Sequence, residues 1–99
     1  MAVKILVKRK FKDGNMQAAS RFLINIRTGA MKQPGYIASE TLRSLDDSDQ
    51  VVVVSMWHNF EAWEAWKNSE VRKACVDEFK DYFVGEREYE HYALALSLE

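Results

Sequence analysis

An α+β domain, with helices on one face of an antiparallel sheet, is the fold class the sequence predicts, and three observations predict it. Segments that alternate with a period of two, or run in β-branched residues, lie near both ends and in the middle of the chain; that patterning marks strands. Segments with apolar residues three and four positions apart lie between them, which marks amphipathic helices. Short polar or glycine-containing turns separate the segments, with no internal repeat and no linker rich in serine, glycine or proline, so one domain is expected over residues 1–97. Leu98 and Glu99 resemble a cloning remnant.

Val3 to Phe11 reads as the first strand, with Val3, Ile5, Val7, Arg9 and Phe11 on one face and Lys4, Leu6, Lys8 and Lys10 on the other. Asp13-Gly14-Asn15 is a turn leading into a helix N-terminus. From Met16 the period lengthens. Ala19, Phe22, Leu23, Ile26 and Ala30 form one apolar stripe, and Gly29 is expected to stop the helix, with Pro34 beyond it. Gly35 to Leu42 is expected as the second strand, Asp46 to Asp49 as a polar turn and Gln50 to Trp57 as the third strand. Its centre, Val51 to Val54, is a β-branched run of the kind found in strands buried on both faces. Asn59 is placed to cap a short helix bearing Phe60, Trp63 and Trp66. Ser69 is placed to cap another, with Val71, Cys75, Phe79 and Tyr82 facing inward, and Gly85 to end it. Glu86 to Leu96 is expected as the last strand, with Tyr89, His91, Ala93 and Ala95 on one face.

The resulting order, β-α-β-β-α-α-β, is the ferredoxin-like split pattern with its second helix broken in two. Leu6, Val52, Val54 and Met56 make the helix-free sheet face partly apolar. Such a face marks an interface, so a homodimer with two sheets packed face to face is expected.

Composition narrows the function. With 14 basic and 15 acidic residues the net charge is −1, so nothing in the charge favours nucleic acid or an anionic membrane as partner. No apolar run approaches the roughly 20 residues of a membrane span, and the N-terminus lacks the apolar core of a secretion signal. A lone cysteine, Cys75, excludes an internal disulfide and fits a reducing cytoplasm; it reads as a small buried residue. Two histidines and one cysteine without metal-ligand spacing argue against a zinc site. The isolated glycines form no phosphate loop or dinucleotide fingerprint.

The element order and several local features resemble the antibiotic-biosynthesis-monooxygenase domains, a family of dimeric α+β barrels. Gln33-Pro34-Gly35-Tyr36 resembles the start of their second strand. Val51 to Trp57 followed by Asn59-Phe60-Glu61-Ala62-Trp63-Glu64-Ala65-Trp66-Lys67-Asn68-Ser69 resembles their most recognisable stretch, a strand ending in Trp, a capped helix, then a second Trp before a Ser-capped helix. The resemblance runs from Val3 to Leu96. It implies two activities found in the family. One is oxygenation of electron-rich aromatic compounds such as anthrones and quinols without a metal or flavin, hence no cofactor, with Trp66 matching the tryptophan that lines the pocket. The other is haem degradation, whose histidine iron ligand is replaced here by Val76 and whose first-strand asparagine falls among Lys8, Arg9 and Lys10.

The chemistry-bearing residues divide between two readings. Trp57, Trp63 and Trp66 are core, since aromatic residues at helical spacing bury large areas, or they form a flat wall for a planar ligand, with Phe22 and Phe79 completing it. His58 and His91 are surface residues, or one of them is the general base that removes a proton from a phenol or anthrone. Arg9 is a solvated strand-end residue, or it lies at the cavity mouth and stabilises an enolate or superoxide-like anion. Arg21, Arg27 and Arg72 read as solvated helix residues. The expected activity is therefore a cofactor-free monooxygenase of a small aromatic ligand, with catalytic Trp66, His58 and Arg9. The alternative is a binding or sensing domain on the same scaffold.

Overall fold

A computed structural model describes residues 1–94. Its elements are β1 (Val3–Phe11), α1 (Met16–Met31), β2 (Tyr36–Arg43), β3 (Gln50–Trp57), α2 (Phe60–Lys67), α3 (Glu70–Glu78) and β4 (Phe83–Ala93), with a single 3-10 turn at Lys80–Tyr82. The four strands form one antiparallel sheet in the order β2-β3-β1-β4, the ferredoxin-like arrangement expected. Ala95 and Leu96 lie outside the described residues.

Position in the sheet explains how strongly each strand is patterned. β1 and β3 are central, so their inner faces must be apolar. Val3, Ile5, Val7, Arg9 and Phe11 are all buried, and so are Val51, Ser55 and Trp57. On the helix-free face the Val52, Val54 and Met56 side chains are only half-buried. The β-branched run of β3 is thus covered on one face within a single chain. β2 and β4 are the edges and their burial is correspondingly patchy. On the helix-free side, Lys8 of central β1 pairs with Glu90 of β4, and Lys10 of β1 with Asp47 of the β2–β3 turn.

Helix α1 lays Ala18, Ala19, Phe22, Ile26 and Ala30 on the sheet. The Asn59 side chain accepts from the Ala62 N–H at 2.8 Å, which starts α2. Ser69 closes α2 and opens α3 together, donating to the Trp66 carbonyl at 2.8 Å and accepting from the Arg72 N–H at 3.2 Å. Each such cap contributes about 1 kcal/mol. Phe11, Phe22, Phe79 and Phe83 close one end of the core through edge-on contacts with ring centroids 5.1 to 6.1 Å apart.

Three sequence expectations are corrected. Gly29 does not stop α1, which runs two residues further to Met31. Val71 does not face inward; it is 58% exposed, while Arg72 is buried. The phase of the helix explains this. From Phe79, position 72 is seven residues away, within about 20° of the same face, whereas position 71 is about 80° off. Finally, Gly85 does not end α3, which stops at Glu78. It sits inside β4 with φ +70°, in a bulge where the β1–β4 register shifts between Lys8 and Lys10; a positive φ there suits glycine.

Candidate functional site

The inner face of β1 carries one charged residue, Arg9, in an otherwise apolar row, and the helices roof it over. Its guanidinium lies against the rings of Phe22 at 5.1 Å and Phe83 at 4.7 Å. From α3, Arg72 reaches inward over the Trp63 ring at 5.4 Å. From β3 comes Trp57, whose indole N–H donates to the Ser55 hydroxyl at 2.9 Å and whose ring meets Trp63 at 6.1 Å. Trp66 stands beside these from the same helix as Trp63. Arg9, Phe22, Ser55, Arg72 and the three tryptophans are among the residues that wall a cavity of about 40 Å³, room for roughly three water molecules. A planar aromatic ligand needs the walls to part. Among the lining residues, Arg27 of α1 is exposed and Ser39 lies on the edge strand β2.

Two hydrogen-bond donors in these walls have no partner among the described residues: Arg9 Nη2 and Trp63 Nε1. Buried donors are almost always satisfied, and each orphan costs about 1–3 kcal/mol. Two in one cavity call for acceptors there, which water in the space or a bound ligand can supply. Burial, and next the charge of Arg72, push the Arg9 pKa down to about 10, which still leaves it charged at neutral pH. The ionisable groups of the wall are Arg9, Arg27 and Arg72, all cations. The cavity therefore favours an anion, and among the described residues no carboxylate or imidazole lines it.

Of the residues predicted for the site, the structure gathers Arg9, Phe22, Trp57, Trp63 and Trp66 around this cavity. It does not bring in the others. Phe79 is buried behind Phe22, with ring centroids 5.6 Å apart. His58 is exposed at the end of β3, its backbone N–H donating to the Gly35 carbonyl at 2.8 Å. His91 is exposed on β4, stacked on Tyr89 and edge-on to Phe60. Arg72 was missed by the sequence reading, although its spacing to Phe79 was the available signal.

Gly29 has a role in the site instead of ending the helix. A Cβ at this position would lie 2.7 Å from Cη2 of Trp66 and 3.4 Å from Val71, so glycine lets the indole pack against the α1 backbone. Alanine gains about 1 kcal/mol in helix propensity, but overpacking costs about 1–3 kcal/mol. Gly29→Ala is expected to lose about 1 kcal/mol in urea unfolding and to shift the tryptophan fluorescence. A stabilised variant with an unchanged spectrum would refute the close approach.

The antibiotic biosynthesis monooxygenase family model matches residues 2–78. No curated protein sequence matches the chain. Among solved structures, a Nitrosomonas europaea protein provisionally named an antibiotic biosynthesis monooxygenase superimposes with a TM-score of 0.85 at 18% identity, covering 95% of this chain and 91% of that one. SnoaB, a cofactor-independent oxygenase from Streptomyces nogalater, gives 0.83 at 13% identity, covering 98% and 96%. A protein from Methanosarcina mazei gives 0.84 at 15% identity, covering 93% and 91%. At these identities the structural likeness concerns the fold.

Proposed function

The chain belongs to the antibiotic biosynthesis monooxygenase family, and from that premise we propose that it is a cofactor-independent monooxygenase of a small, electron-rich aromatic substrate that is bound as its anion. The observation that carries this reading is the pair of unpartnered donors, Arg9 Nη2 and Trp63 Nε1, in a cavity walled by indoles and cations. The indoles offer flat apolar faces to a planar ring. Arg9 and the Trp63 N–H supply donors to an enolate or phenolate oxygen, and preorganised donors of this kind stabilise developing charge. SnoaB is an oxygenase that works without a cofactor on the same fold.

With no imidazole or carboxylate in the wall, the proton is lost by acidification. The cations of the site lower the pKa of a bound phenol or anthrone, against the opposing effect of burial, and a water molecule in the cavity takes the proton. The carbanion then gives one electron to O2, the substrate radical and superoxide combine into a C–O bond, and the protonated hydroperoxide loses water to leave a ketone or quinone carbonyl. One oxygen atom enters the product and the other leaves as water.

We propose that two copies associate through the helix-free sheet face. The half-buried Leu6, Val52, Val54 and Met56 there, together with the 48% exposed Leu42 and 52% exposed Tyr92, support this.

The test is O2 uptake by metal-stripped protein with a panel of hydroquinones and anthrones, beside Trp66→Phe. Stimulated uptake, lost or reduced about tenfold or more in the variant, is the expected result. Uptake equal to the enzyme-free control across the panel, with saturable binding of the same compounds, would favour the second reading, a binding or sensing domain. The lack of a protein base in the cavity is the observation on that side.

A further inference from the structure

Outside the cavity, α3 and the start of β4 enclose a second recess of about 290 Å³. Its charged lining is strongly one-sided, with Lys67, Arg72, Lys73, Lys80 and Arg87 against the single carboxylate of Asp77. Asp77 is already engaged, 3.3 Å from Lys80. Among the described residues, none of the other four cations forms a salt bridge. For a chain of net charge −1, four free cations in one concavity are a marked local excess.

The recess is organised around Tyr89. Its hydroxyl oxygen accepts from Arg72 Nη2 at 3.2 Å and from Arg87 Nε at 2.9 Å. The Lys67 ammonium sits 4.7 Å from the ring centroid and the Arg87 guanidinium 5.4 Å from it. Burial alone would raise the phenol; the hydrogen bond from Arg87 and the charge of Arg72 outweigh it and hold the pKa below its ordinary value. A phenol oxygen with both acceptor positions used can only donate further, and no described side chain or carbonyl accepts from it. Two guanidinium groups, two ammonium groups and the Tyr89 O–H donor line a space large enough for a tetrahedral anion.

We propose that this recess is a binding site for a small oxyanion of the phosphate or sulfate class, distinct from the indole-walled cavity although the two share Arg72. Arg87 and Lys73 supply charge at its open side, Arg72 supplies charge from the wall it shares with the cavity, and the Tyr89 hydroxyl donates. Guanidinium groups suit such ions because their donors are fixed in a fork.

The test is titration of the full chain with inorganic phosphate at constant ionic strength, followed by amide chemical shifts. The expected result is saturable shifts confined to residues 67–73 and 87–89. Lys73→Gln with Arg87→Gln, both exposed positions, is expected to weaken binding by about tenfold or more. Tyr89→Phe, which keeps the ring and every cation, is expected to weaken it severalfold. Phenyl phosphate beside phosphatidic acid vesicles separates a soluble monoester from a lipid headgroup; capture of either retains the site and identifies its source. Shifts that rise without saturation, that chloride reproduces equally, or that the folded double variant shows undiminished would overturn the proposal.

Discussion

Arg9→Met is expected to make the protein more stable, by up to about 1 kcal/mol, and at the same time to cut substrate oxidation by about 10²–10³-fold. The two effects have opposite signs because the guanidinium is badly satisfied without a ligand. It is 7% exposed, one of its amino groups has no partner, and it faces the like charge of Arg72. Removing an orphaned buried donor recovers about 1–3 kcal/mol, and buried charges replaced by apolar residues of similar length are often neutral or stabilising. Against this, the two ring contacts with Phe22 and Phe83 are lost at about 0.5–1 kcal/mol each; methionine restores part of that packing. Loss of a single preorganised donor to a developing oxyanion typically costs 10²–10³-fold, roughly 3–4 kcal/mol of barrier. Chemical denaturation and O2 uptake on the same preparation measure both; where the protein binds without oxidising, phenolate affinity replaces the rate. A variant destabilised by more than about 2 kcal/mol would make Arg9 a structural residue and remove it from the proposed site.

Gly35→Ala is expected to cost about 2–4 kcal/mol, a large share of the stability of so small a domain. Gly35 has φ +84°, and a Cβ there would meet the Ala62 Cβ at 2.6 Å. The left-handed backbone costs an alanine about 1–2 kcal/mol. The clash adds about 1–3 kcal/mol, because the Ala62 methyl is fixed directly to the α2 backbone and only movement of the helix can relieve it. That movement carries Trp63 and Trp66 away from the cavity, so near-UV circular dichroism is expected to change along with the melting temperature. Gly85→Ala is the control: φ is +70° with nothing within 4 Å of the added carbon, so it isolates the backbone contribution at about 1 kcal/mol. Equal losses at the two positions would show that α2 does not press on Gly35.

The residues differ in how far their surroundings could be read in advance. Pro34-Gly35 announced the start of β2, and the alternation of β1 placed Arg9 on one face with Val3, Ile5 and Val7; that this face meets the helices came from the structure. Asn59 and Ser69 announced α2 and α3, because a side chain that satisfies orphaned backbone donors is a local feature. Gly29 misled, since a glycine near the end of a helical stripe has the same signature whether it stops the helix or admits a neighbouring ring. Arg72 misled because its charge argued for solvent, although its phase argued for the core.

What the sequence determined by itself is the element order, the boundaries of the elements to within a few residues except at the end of α3, which residues of the first strand share a face, and the family. These follow from local capping and from the alternation that a central strand needs to bury one face. Tertiary structure alone decided which charges are buried, which donors lack partners, that both histidines lie outside the cavity, and that Arg72, Arg87 and Lys67 surround Tyr89. Those facts depend on the relative placement of α3 and β4. α3 spans nine residues, too few turns for an apolar stripe to specify its facing when an arginine lies on it, and β4 is an edge strand whose bulge no periodicity records.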